Sequence, residues 1–260
     1  MKNERLDRLL DKICHGQTPL GCGQTYAEPA ITEQLGRNGF DLIWLDQEHT
    51  SCTIEQIRLQ IQMSELTGMV SFVRVADHLP STVKPVLEMA PDGVIFPMVN
   101  TRQEAEQVVS ACLYPPKGIR GFGPLRANRY GTVPLDEYVR DIDKCFWRIM
   151  QIEHIRAVEN LEEIIAVEGV SGIVVGPNDL AASIGHLGDT SHPGVTRLMD
   201  EIAAICRKNG TIFGVSISGK QEDMIAWKER GVSWIEVGMD YGYIGWGAQH
   251  VLDGLRAVFR

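Results

Sequence analysis

The chain has no Cys-x-x-Cys pair among its six cysteines (Cys14, Cys22, Cys52, Cys112, Cys145, Cys206), which argues against a zinc ribbon or a dithiol redox centre. No apolar run is long enough to span a bilayer, and the first ten residues, Met1 to Leu10, are charged and amphipathic without a signal-type hydrophobic stretch. A cytoplasmic protein with reduced thiols is expected. Basic residues are outnumbered: 25 Lys and Arg stand against 34 Asp and Glu, a net charge of −9 that repels phosphate backbones and anionic membrane surfaces. Nucleic acid and membrane partners are therefore not expected. A Gly-x-Gly-x-x-Gly after a first strand is also missing. The nearest glycine cluster, Gly118 to Gly123, follows Tyr-Pro-Pro and has no strand before it, which leaves a dinucleotide site without support.

What the 260 residues do contain is a globular composition, 44% hydrophobic and 23% charged, with no linker or low-complexity tract. Short aliphatic runs alternate with longer amphipathic segments throughout. Strands are expected near 20–24, 41–46, 70–75, 93–98, 148–153, 172–176, 211–216 and 234–238. Eight strands, most of them continuously apolar, separated by helices predict an α/β fold, a closed (β/α)₈ TIM barrel formed by residues 1–260 as one domain.

In such a barrel, chemistry sits where the strands end. The second strand ends in Asp46-Gln47-Glu48-His49, which reads either as polar residues leading into a helix or as part of a site. Arg74, near the end of the third, needs a carboxylate, a substrate anion or a developing oxyanion. A structural ion pair with Asp46 or Glu48 is the simplest alternative. Period-2 alternation places Gln151 and Glu153 on one face, pointing into the barrel, with Met150 and Ile152 on the helix-covered face and His154 outward. The sixth strand ends in Gly-Pro-Asn178-Asp179 and a helix start, where Asp179 reads as an N-cap or a ligand. Adjacent parallel strands lie roughly 4.8 Å apart, so Glu153 and Asp179 can reach one hard cation such as Mg²⁺. The amides at that helix start can take a carboxylate. The combination describes a metal plus a small oxyacid.

The segments Phe40–His49, Val73-Arg74-Val75, Gly93–Val99, Tyr114–Gly121, Gln151-Ile152-Glu153, Ala157–Leu161 and Val175–Leu180 together resemble the HpcH/HpaI class II aldolases over nearly the whole chain. That resemblance implies a phosphoenolpyruvate/pyruvate-type barrel acting as a metal-dependent aldehyde-lyase. Its members include the 4-hydroxy-2-oxoheptanedioate and 2-dehydro-3-deoxyglucarate aldolases, which yield pyruvate and an aldehyde from a 4-hydroxy-2-oxo acid. It implies a divalent metal (Mg²⁺, Mn²⁺ or Co²⁺) on Glu153 and Asp179, with substrate contacts from Gln151, Asn178 and Asp179. It assigns His49 as base, Arg74 as stabiliser of developing negative charge, and Asp46 as acidic neighbour of the metal and water site. At Glu88 it places the acid that raises the basicity of the histidine across a subunit contact, usually Asp and here one methylene longer. A homo-oligomer, a hexamer with exchanged terminal helices, is the assembly implied. Thr50, Asn178 and Ala181 depart from commoner family residues without removing a catalytic group.

Arg120, Arg126 and Arg129 in the less typical segment 118–131 read either as ligands for an acidic acceptor or as subunit contacts. The rival readings are a Schiff-base aldolase using Lys220, an oxaloacetate-using, citrate-forming enzyme on the same site, and a non-catalytic oxo-acid-binding barrel.

Overall fold

The computed structural model describes residues 2–217, 220–256 and 258–259. Eight parallel strands close into a barrel in sequence order: β1 (Leu20–Gln24), β2 (Leu42–Asp46), β3 (Val70–Arg74), β4 (Gly93–Phe96), β5 (Trp147–Ile152), β6 (Gly172–Val175), β7 (Phe213–Ser216) and β8 (Trp234–Met239). Helix α1 (Glu4–Cys14) precedes β1. The connections carry α2 (Pro29–Arg37), α3 (Ile54–Thr67), α4 (Pro80–Glu88), α5 (Arg102–Cys112), α6 (Leu135–Asp141), α7 (Ile155–Glu159), α8 (Leu161–Ile165), α9 (Pro177–Ser183), α10 (Pro193–Asn209), α11 (Gln221–Glu229) and, after β8, α12 (Asp240–Arg256). This is the expected (β/α)₈ barrel. Each strand lies where the aliphatic runs predict it, with ends displaced by at most two residues.

Strand alternation sorts the side chains into two layers. Leu42, Trp44, Val70, Phe72, Ile95, Trp147, Ile149, Val174 and Trp234 fill the inside, and Leu6 and Leu9 of α1 close the end where the strands begin. Ile43, Leu45, Val73, Met150, Ile152 and Ile173 face the helices. Bulky indoles fit inside because small residues oppose them: a Cβ at Gly214 would lie 2.1 Å from the Trp234 ring.

Local chemistry supports the helix starts. Proline opens α2, α4, α9 and α10, where its missing N–H costs nothing. Thr53 and Gln56 form a capping box on α3. At the β1–β8 seam the register shifts between Gly21 and Gly23. There Glu236 Oε1 accepts from the Gly23 and Gly238 N–H groups at 3.1 and 2.8 Å, and Ser216 Oγ donates to Oε2. Among the described residues no helix is long and apolar enough to cross a membrane.

Candidate active site at the strand ends

β2 and β3 run side by side with Asp46 opposite Arg74. The guanidinium donates to Asp46 through Nε (2.9 Å) and Nη2 (2.8 Å), and its Nη1 lies 3.1 Å from Glu48 Oε2. It also stacks 5.2 Å over the Trp44 ring. Arg74 is 8% and Asp46 2% exposed. Burial alone would lower the Arg74 pKa, but Asp46 and Glu48 outweigh it and the pKa is raised. Of the partners expected for Arg74, the ion pairs with both acids are present. Asp46 Oδ1 further accepts the Glu48 N–H at 3.0 Å, which orients the loop carrying His49.

His49 is on the rim, its side chain 66% exposed, with Nε2 3.5 Å from Glu48 Oε2. Glu48 links this rim imidazole to the buried guanidinium. Burial raises the Glu48 pKa, Arg74 and His49 oppose that rise, and Asp46 and Asp179 add to it. In the sequence Glu48 stands among the polar residues ending the second strand and as a possible partner for Arg74, with no role of its own. Its signal was one residue away from His49.

Across the mouth, Gln151 and Glu153 point inward, both nearly fully buried. Glu153 lies one residue beyond β5. Its Oε1 accepts the Met98 N–H at 2.7 Å and its Oε2 accepts the Gln151 amide. Burial pushes its pKa up to about 7; the Gln151 and Met98 bonds pull against this, whereas Asp179 and Glu48 push it further up. Asp179 stands on the first turn of α9, whose N-cap is Gly176, so it is a helix residue and not the cap itself. Both Asn178 and Asp179 are exposed at the mouth. His154 caps α7, its Nδ1 accepting the Arg156 N–H.

Three observations bear on whether this corner suits a divalent cation. Glu153, Asp179 and Glu48 interact as like charges. Gln151 Oε1 is buried without a hydrogen-bond partner. A Cβ at Gly176 would lie 3.0 Å from Glu153 Oε2, so a side chain there would crowd that oxygen. Among the described residues no three His, Cys, Asp or Glu side chains already cluster as a metal site. Two carboxylates with open positions for water and substrate suit Mg²⁺-like chemistry. The residues fit such an ion.

The other sequence candidates lie elsewhere. Glu88 ends α4, a helix returning to the end where the strands start, and accepts from Arg120 at 2.8 Å. Within one chain it does not meet His49. Arg120 is buried over the Tyr114 ring, and Arg126 pairs with Glu65 at 2.5 Å. With Arg129 they line a cavity of about 930 Å³ at that opposite end. Lys220 is exposed at the start of α11, and Ser218 and Gly219 before it lie outside the described residues.

Comparison with known proteins identifies the family and the fold. The family model for HpcH/HpaI aldolase/citrate lyase matches residues 24–244. A 5-keto-4-deoxy-D-glucarate aldolase of Salmonella arizonae is 37% identical over 238 residues, covering 91% of this chain and 92% of the relative. The crystal structure of an HpcH/HpaI aldolase/citrate lyase family protein from Burkholderia cenocepacia superposes with a TM-score of 0.90 at 27% identity, covering 98% of this chain and all of that one. That of the citrate synthase SbnG superposes with a TM-score of 0.85 at 26% identity, covering 95% and 96%. With the matched region spanning nearly the entire barrel, the chain belongs to the HpcH/HpaI aldolase/citrate lyase family.

Proposed function

We propose that this protein is a class II aldolase that reversibly cleaves a 4-hydroxy-2-oxo acid to pyruvate and an aldehyde. The observation that carries the reading is the placement of a buried, doubly ion-paired Arg74 and a rim histidine, His49, on the same barrel mouth as the paired carboxylates Glu153 and Asp179.

Glu153 and Asp179 would hold a divalent cation (Mg²⁺, Mn²⁺ or Co²⁺), which would supply Lewis acidity for an oxo-acid substrate. The α9 amides at Asn178 and Asp179 receive the substrate carboxylate, and the Gln151 side chain orients the oxo acid. His49 Nε2, directly or through water, takes the proton of the 4-hydroxyl group as the bond between C3 and C4 breaks and its electron pair stays on C3. Arg74 offsets negative charge on the oxygen that becomes the aldehyde carbonyl. Protonation of C3 completes pyruvate. Asp46 fixes the guanidinium from behind, and Glu48 offsets the positive charge that His49 acquires.

Copies of the chain assemble into a homo-oligomer, a hexamer on the family pattern, in which Glu88 approaches a neighbour's His49. The exposed Ile244, Trp246, Leu252 and Leu255 on α12 support such association. Residues 1–260 of each subunit form one barrel domain, and the buried thiols Cys22, Cys112 and Cys206 suit a reducing cytoplasm.

Proton NMR of pyruvate in D₂O tests the donor half-reaction without knowledge of the aldehyde. Loss of the methyl signal with enzyme and Mg²⁺, abolished by excess EDTA, is expected. No exchange with Mg²⁺, Mn²⁺ or Co²⁺ under a compatible readout would overturn the pyruvate reading. The substrate to try first for cleavage is 5-keto-4-deoxy-D-glucarate, for which the 37%-identical relative is named.

A further inference from the structure

Beyond Phe96 the chain turns through Pro97, Met98, Val99 and Asn100 before α5 begins. Met98 adopts φ +54°, a left-handed conformation that residues with a Cβ rarely take. Its side chain is 45% exposed, so packing of the thioether does not account for the conformation. What the conformation delivers is a main-chain N–H, 2.7 Å from Glu153 Oε1.

Side chains from three other places brace the turn. The His78 ring hydrogen-bonds the Pro97 carbonyl. Asn100 Nδ2 donates to the Met98 carbonyl at 2.9 Å, and Asn100 N–H donates to Glu104 at 2.6 Å. Asn160, at the junction of α7 and α8, donates through Nδ2 to the Asn100 carbonyl at 2.9 Å. The bonding is reciprocal: the β4–α5 turn donates to Glu153 just after β5, and Asn160 in the continuation of that same segment donates back to the turn. A strained conformation persists where its surroundings over-determine it, and such places concentrate at functional sites.

We propose that the Met98 turn is a positioning device in which Asn160, through Asn100, holds the Met98 backbone left-handed so that its N–H sets the orientation of the Glu153 carboxylate. With Gln151 engaging Oε2 and Met98 engaging Oε1, both oxygens are anchored by one hydrogen bond each, which fixes the plane of the carboxylate. The inference rests on the reading of Glu153 as a metal ligand.

The test is Mn²⁺ binding by the whole protein without substrate, read by the electron paramagnetic resonance signal of free Mn²⁺. N160A and N160D remove the donor; the second is nearly isosteric and retains a folded alternative if the first unfolds, with thermal melting as the check. Each is measured in the native background and in M98G, because glycine populates the left-handed region without a brace. Loss of the brace is expected to weaken Mn²⁺ binding about tenfold in the native background and under about twofold in M98G. Equal losses in both backgrounds, or none in either, overturn the proposal. E153A separates the two levels: if it abolishes binding while the Asn160 variants show no background dependence, only the Met98 device fails. If E153A binds Mn²⁺ as the native protein does, the ligand assignment fails and the device with it.

Discussion

The two ends of the barrel both bury charge, but they balance it differently. Where the strands begin, three guanidiniums have carboxylates: Arg5 meets Asp92 at 2.8 Å, Arg120 meets Glu88 at 2.8 Å and Arg126 meets Glu65 at 2.5 Å, while buried Arg148 donates to the main-chain carbonyls of Gly169 and Asp143. Asp92 there is the hub, accepting from Asn3, from Arg5 and from the Ser71 N–H. Where the strands end, one guanidinium, Arg74, serves Asp46 and Glu48, and Glu153 faces Asp179 and Glu48 as like charges. Balanced charge is a structural device. An excess of negative charge around a buried carboxylate has a cost that a bound cation would offset, which is why the second end is the one proposed as the site.

The sharpest test of that contrast is Glu153→Ala. It is expected to reduce turnover to background and abolish Mn²⁺ binding while leaving the fold intact by circular dichroism. Next in size is Arg74→Ala, which is expected to lower kcat by about 100- to 1000-fold with metal affinity retained. Measured turnover near the native value would show that Arg74 only neutralises Asp46 and Glu48. At the opposite end, Asp92→Ala is expected to cost about 3 kcal/mol of stability by denaturant unfolding, because it strands Arg5 and the Ser71 N–H. Its Mn²⁺ affinity is expected to match that of the native protein. A large metal effect there would erase the distinction between the ends.

The smallest effect concerns Glu236, inside the barrel at the β1–β8 seam. Burial pushes its pKa up to about 7 against the bonds from Ser216, Gly238 and Gly23, which hold it down. A folded-state value above the unfolded 4.5 means that the folded chain binds the proton more tightly. Its contribution is therefore fully present below about pH 4.5 and is lost as pH rises through about 7. Between pH 5 and pH 8 the native protein is expected to lose roughly 2 kcal/mol more stability than Glu236→Gln. Parallel pH profiles for the two proteins would refute the assignment.

Much of the site was visible in the residues alone. Asp46 and Arg74 end neighbouring apolar strands, and a buried guanidinium has few possible partners, so their pairing was a short step. The inward direction of Gln151 and Glu153 followed from alternation against Met150 and Ile152. Glu48 was harder to rank because its importance comes from touching Arg74 and His49 together. Met98 was invisible, since what it contributes is a main-chain N–H and its side chain carries no sign of that. Glu236 was not singled out by the sequence; its partners at Gly23 and Ser216 come from strands far apart in the chain. Arg120 and Arg126 read from the sequence either as ligands for an acidic acceptor or as subunit contacts; their pairing with Glu88 and Glu65 was not legible there.

Strand number, strand order and the face on which each strand presents its polar residues were written in the local pattern of apolar residues, because burial on two sides demands continuous aliphatic runs and alternation has a period of two. Which carboxylates oppose one another, how deeply Glu153 is desolvated, and the left-handed turn that steadies it arose from closing the sheet. Those depend on barrel register, on bonds between β4, β5 and the α7–α8 junction, and on the dielectric of a packed interior, none of which exists in an open chain.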